Sequence, residues 1–201
     1  MNIFTALKFA LIALLLMCCT TKENKVSAQD NTNSDAIITI IEYSDYQCPA
    51  CGFYHPIIEQ VKEHFGDKVS VEYRDFPLNT HQYAVAAARA AEAARKQGKF
   101  KAMHDILFEN QNVWSGSGNP QALFEQYARD IGLDMEQFKE DLNSAETQRA
   151  VLEEKKEGEQ MGVSSTPTFF INGEKLVQNP SSFDQFKRLI NLYMEEAESN
   201  N

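Results

Sequence analysis

Residues 36–44, AIITIIEYS, are an unbroken apolar run rich in β-branched residues, and four positions later stand two cysteines separated by Pro-Ala. A run of strand length that is apolar on both faces belongs in the middle of a sheet. A helix is expected from Cys48, because Pro49 suits its first position, where a missing N–H costs nothing. Phe53, Ile57, Ile58, Val61 and Phe65 then recur at helical spacing, and Gly66 marks the end. VSVEYRDF, residues 69–76, alternates as a second strand does. Strand, helix and strand with a short return form a βαβ unit, normally parallel and right-handed.

The next stretch, residues 79–162, changes character. QYAVAAARAAEAARKQG is a strong helix former closed by Gly98. NPQALFEQYARDIG has an Asn cap, an early proline and a final glycine. Asp134 and Gln137 have capping-box spacing, and SAETQRAVLEEKKEGEQMG completes an all-helical segment. Its glutamate-rich EEKKEGE reads as a solvated helix face. Residues 166–177 then predict a hairpin turning at Asn172-Gly173, and Ser182 with Gln185 a capping box opening a last amphipathic helix. The expected fold class is α/β, with hairpin and parallel unit in one mixed central sheet. The expected organisation is a leader over 1–19, a flexible tether over 20–35, an α/β domain from 36–78 and 163–198, and a helical insertion over 79–162.

The chain has 201 residues, 43% of them hydrophobic, enough for a packed core without a disulfide framework. Its net charge of −10 lacks the cationic face that nucleic acid requires. Only Cys18, Cys19, Cys48 and Cys51 are present, so no thiol remains for a long-range staple in the body.

The leader joins Lys8 to an uncharged run from Phe9 to Cys19, too short to span a bilayer but long enough for an export signal. LLMC, ending at Cys18, resembles a bacterial lipoprotein box, although Met17 is bulkier than the usual residue. The alternatives are lipidation at Cys19 and ordinary cleavage after Ala28. The expectation is export into the cell envelope or periplasm, where disulfides persist, with Cys18 as the candidate lipid attachment.

At a helix start, unpaired N–H groups and the dipole favour a thiolate, so the Cys48 pKa is expected to fall. Cys51 lies on the same face, within disulfide reach. An exposed Cys48 thiolate can attack a disulfide and Cys51 can resolve the mixed intermediate. Two other readings compete. A zinc or copper site needs more ligands, with His55 the only nearby candidate, and a structural staple would close too small a loop to add much stability.

Together SDYQCPAC after a buried strand, the helical insertion, and GVSSTPTFFINGEKL resemble the DsbA-like thiol:disulfide oxidoreductases of bacterial envelopes, over residues 36 to about 198. The resemblance implies a thioredoxin-like fold with an inserted helical domain. It implies Cys48 as the attacking and Cys51 as the resolving cysteine, with Pro49 and Ala50 between them. Pro167 matches the family's cis-proline, Thr166 would offer backbone groups to an extended substrate, and Glu42 would be an acid beneath the pair able to accept the Cys51 proton. No cofactor or metal beyond the Cys48–Cys51 disulfide is implied. The expected partners are reduced or unfolded exported proteins and a membrane redox partner, met by a monomer. Ala50 replaces the histidine of the most oxidising relatives, which leaves the direction of electron flow open. A reductase or isomerase of the same fold and an envelope copper-binding protein are the competing readings.

Asp45 reads as a cap or turn residue, Trp114 as a packing anchor, and His55, His64, His81 and His104 as surface or packing histidines. Tyr46, Phe53 and Tyr54 are candidates for an apolar substrate groove, with core packing the alternative for Phe53.

Overall fold

A computed structural model describes residues 36–199. The expectations for the leader and tether, including Cys18, Cys19 and cleavage after Ala28, lie outside the described residues.

The apolar run becomes β1 (Ile38–Ser44) and the alternating segment β2 (Val69–Asp75). They pair in parallel, Ile38 opposite Val69 through Ser44 opposite Asp75. On its other edge β1 pairs antiparallel with β3 (Thr168–Ile171), which pairs with β4 (Glu174–Lys175), giving the order β2-β1-β3-β4. The long apolar strand thus lies inside a mixed sheet, as its composition demands. Asn172 and Gly173 make the β3–β4 turn with φ of 48° and 83°, the left-handed pair a two-residue hairpin requires. Asn172 also exchanges two bonds with Thr39, accepting from its N–H through Oδ1 and donating its own N–H to its carbonyl. The second hairpin strand is only two residues long, and Val177, expected in it, is fully exposed.

Helix α1 (Pro49–Phe65) starts one residue later than expected, with Cys48 as its extended N-cap. Its buried Cys51, Ile57, Ile58 and Val61 face the sheet, and Gly66 closes it at φ 53°. Helix α8 (Phe183–Ser199) packs beside α1, burying Phe186 and Ile190. Its cap differs from the box expected. Ser182 Oγ accepts from Gln185 N–H, but Gln185 Oε1 reaches back to Ser181 N–H.

Between β2 and β3 run six helices: α2 (Ala84–Arg95), α3 (Phe100–Glu109), α4 (Gln111–Ser115), α5 (Pro120–Asp130), α6 (Met135–Asn143) and α7 (Ala145–Gln160). The alanines of α2, fully buried at Ala87, Ala90, Ala91 and Ala93, let α3, α6 and α7 approach it closely. At α6, Asp134 caps two N–H groups, while the Gln137 side chain turns to Asp141 and leaves the capping box half made. Trp114 is fully buried, donating to Leu107 O and packing on Phe124.

Helix α7 corrects the solvated-face reading of EEKKEGE. Glu154 Oε2 accepts the N–H of Asp75 at 2.6 Å, closing the β2 edge. Gly158, one turn on, is buried against Tyr43 and Phe76. The pattern missed this because, within EEKKEGE, the side of α7 turned to the sheet carries only a partly buried carboxyl and a glycine, with no apolar side chain to mark it.

Candidate active site

Strand β1 ends at Ser44, and a turn through Asp45 delivers the chain to Cys48 at the α1 N-terminus. Asp45 has the turn role expected, and more. Its carboxylate accepts from Gln47 N–H, Leu78 N–H and His81 Nδ1, tying the turn to the loop after β2. Tyr46 is not part of a groove. It is buried in the core, with its hydroxyl 3.0 Å from His104 Nδ1.

Cys48 and Cys51 are both free thiols. Cys48 is only 8% exposed, more covered than the open thiolate the sequence suggests, whereas Pro49 and Ala50 are exposed. Its pKa is lowered to about 5, chiefly by the hydrogen bond from the Cys51 thiol, with Thr166 and the backbone N–H groups of Cys51 and Ala50 overcoming burial. The helix start contributes through those two N–H groups, but the neighbouring sulfur is the larger cause. Cys51 is completely buried, and its pKa is pushed well up by burial, by its hydrogen bond to Cys48 and by Glu42.

Thr166 and Pro167 reach this pair across 118 residues of sequence, with Cys48 Sγ 3.5 Å from Thr166 O. The Thr166–Pro167 bond is cis. Thr166 Oγ1 is buried without another partner, and its own carbonyl faces the Cys48 sulfur. The Pro167 carbonyl accepts from Asn179 Nδ2.

Glu42 points inward at 2% exposure, and burial raises its pKa to about 8. Ser44 follows two positions later on the same strand face. Its hydroxyl is buried with no partner within bonding distance, yet lies close enough to the Glu42 carboxyl and the Cys51 sulfur to favour the ionised form of each. Strand alternation from Glu42 could have singled out Ser44.

Gln111 had no sequence signal. From the inserted domain its Nε2 donates to Tyr46 O at 2.7 Å and Cys48 O at 2.9 Å, holding both sides of the turn that presents the thiol. Phe53, for which the sequence allows a groove or a core place, is 57% exposed and packs edge-on against Tyr54. Tyr54 is half-buried, touching Phe169 and Phe186. His64 is exposed and meets Phe65 and Phe183 edge-to-face, a surface histidine resting on neighbouring rings.

The pair therefore contains one sulfur ready to be a thiolate and one that holds its proton, with a carboxyl that ionises near neutrality beside the second. Such an arrangement can exchange thiols with a disulfide. The mixed sheet, the inserted helices and the pair at the α1 N-terminus define a DsbA-like protein of the thioredoxin fold. A family model described as Thioredoxin matches residues 32–192, and the chain belongs to that family.

Among solved structures, BdbD from Bacillus subtilis is 25% identical, with a TM-score of 0.70 over 81% of this chain and 90% of that one. Alpha-DsbA1 from Wolbachia pipientis shares the fold, at 20% identity and a TM-score of 0.71 over 83% of this chain and 90% of that one. A sequence relative is Na(+)/H(+) antiporter NhaA 1 of Mycobacterium sp. (strain KMS), 40% identical over 146 residues, which are 70% of this chain but 23% of that protein. The chain thus spans less than a quarter of the length of the curated relatives it matches. Among the described residues no helix is long and apolar enough to cross a membrane.

Proposed function

We propose that this protein is an exported thiol:disulfide oxidoreductase that donates a Cys48–Cys51 disulfide to cysteines of newly translocated proteins. The observation that carries the reading is the asymmetry of the pair: Cys48 is lowered to about 5 while Cys51, completely buried, is raised. In the oxidised form a substrate thiolate attacks Cys48 Sγ. The Cys48–Cys51 bond breaks, and Cys51 leaves with the electron pair and takes up a proton. A second substrate thiolate attacks the substrate sulfur of the mixed disulfide and expels Cys48 as a thiolate. The substrate gains a disulfide and loses two electrons, and the protein is left as the dithiol. Stabilising that leaving thiolate favours the reduced form and so makes the disulfide an oxidant.

Glu42 is the proton acceptor when Cys51 becomes a nucleophile again, since its raised pKa suits it to work near neutrality. Thr166 and Pro167 flank the bound substrate next to Cys48. A membrane redox partner renews the disulfide. The leader carries the chain into the envelope, with Cys18 as its lipid anchor. Mass spectrometry of the membrane-associated protein checks that anchor, an acylated N-terminal Cys18 supporting it and a terminus after Ala28 refuting it.

The direct test oxidises a reduced two-cysteine peptide with the disulfide form. Wild type converts it stoichiometrically and Cys48→Ala does not. A Cys48→Ala protein that oxidised the peptide at the wild-type rate would end this reading. A redox titration against glutathione separates oxidant from reductant, because a potential well below that of the glutathione couple indicates a reductant.

A further inference from the structure

His55 on α1 and the adjacent His104 and Asp105 on α3 meet where the inserted helices rest on the α/β domain. One ligand nitrogen of each histidine and one carboxylate oxygen of Asp105 all lie within 4.8 Å of one another. His55 Nε2 and Asp105 Oδ1 are 2.9 Å apart. His104 is 1% exposed; its Nδ1 is engaged by the Tyr46 hydroxyl, and its Nε2 is buried with no partner. A buried ring nitrogen with nothing to bond is costly unless something else satisfies it.

We infer that His55, His104 and Asp105 form a binding site for a borderline divalent transition-metal ion of the zinc class, bridging α1 and α3. Two imidazoles and a carboxylate are a donor set such ions accept, with a fourth position left for water. With ligand bonds of about 2.0–2.2 Å, tetrahedral donors stand about 3.4 Å apart, so the widest gap closes by about 1.4 Å at most. The site is independent of the thiols, which makes it a different proposition from copper held by Cys48 and Cys51.

One neighbour opposes the ion. Lys101 Nζ lies 2.6 Å from both Asp105 oxygens and 2.8 Å from Glu59 Oε2. It competes for the carboxylate, and it is partly exposed, free to swing away when the ion enters. The bound ion would fix α1, one turn beyond Cys51, to the helix whose His104 holds Tyr46 in the active-site turn.

The experiment is Zn2+ titration by calorimetry on the tag-free chain with Cys18, Cys19, Cys48 and Cys51 all replaced by Ala, so that no thiolate can bind. One ion per chain is expected. His55→Ala and Asp105→Asn, both partly exposed positions, should each weaken binding about tenfold or more, while Lys101→Met should tighten it several-fold. The Lys101→Met result separates a metal site from an ordinary ion pair, because a purely structural His55–Asp105 contact gives no reason for zinc affinity to rise. No saturable binding, or an affinity unchanged in His55→Ala and Asp105→Asn, overturns the proposal.

Discussion

Gln111 occupies the space that a side chain at Gly52 would need: a Cβ built on Gly52 would stand 2.7 Å from Gln111 Oε1. The same amide grips the carbonyls of Tyr46 and Cys48 through its nitrogen. A residue of the inserted domain thereby sets the first turn of α1, and a glycine within that turn makes room for it.

Gly52→Ala should therefore push Gln111 off its two carbonyls. The amide is a flexible tip, so the cost is the lost bonds more than the clash, about 1–3 kcal/mol. Gln111→Ala in the same chain should relieve the clash, so that the double variant loses less than the sum of the singles. Urea unfolding of the four proteins checks this, and strictly additive losses would count against the contact.

Cys48 should react as a thiolate in mild acid. With its pKa at about 5, alkylation by iodoacetamide should approach its plateau rate by about pH 6. Because the Cys51 thiol is the largest cause of the lowering, Cys51→Ala should move the midpoint up towards the ordinary 9.0. Linkage gives a further sign. A depressed acid stabilises the folded dithiol form at high pH, and this contribution fades as pH falls from about 9 towards about 5. An alkylation profile unchanged by Cys51→Ala would remove the sulfur-to-sulfur hydrogen bond from the account.

Glu42 has the opposite sign. Its pKa is raised from 4.5 to about 8, so the buried neutral acid supports folding at low pH and that support is lost as pH rises through this window. Glu42→Gln should remove the loss and make the protein more resistant to urea than wild type at pH 8. The same change takes away the proton acceptor, so attack by Cys51 on a mixed disulfide at Cys48 should slow by about a hundredfold. Rapid-quench measurement of mixed-disulfide decay checks the second effect, and stability that does not separate from wild type between pH 4.5 and 8 would contradict the first.

Ser44→Ala tests the hydroxyl between the two groups. Ser44 lowers the pKa of both Glu42 and Cys51, so its loss should raise both and shift the pH dependence of mixed-disulfide decay to higher pH, without moving the alkylation midpoint of Cys48. A profile identical to wild type would leave Ser44 with no part in the proton path.

Gly158 is a packing test away from the thiols. A Cβ there would stand 2.8 Å from Tyr43 Cε1 and 2.9 Å from Phe76 Cδ2. These are rigid rings in a small core cluster with Val163 and Phe170. Gly158→Ala should destabilise by about 1–3 kcal/mol, although alanine is ordinarily the better helix residue. A stabilising result in urea would show that α7 can draw back from the sheet without cost.

The strand–cysteine–helix–strand order, the helical character of the insertion and the Asn172-Gly173 turn were legible in the sequence, whereas the inward-facing Glu42 was implied only by the family resemblance. Each of the first three is written in local periodicity or in a residue with one conformational meaning, so a few neighbours suffice to state it. What brings Thr166 and Pro167 to Cys48, Gln111 to the active-site turn, and His55 to His104 and Asp105 is decided by packing between elements far apart in the chain. No local pattern records that. The depressed Cys48 thiol shows the division well. Its position at a helix start follows from Cys48-Pro49, but the strongest cause of its acidity is the buried Cys51 thiol aimed at it. The first turn of α1 sets the two sulfurs side by side, whereas the complete burial that keeps Cys51 protonated and excludes competing water comes from the packing around it.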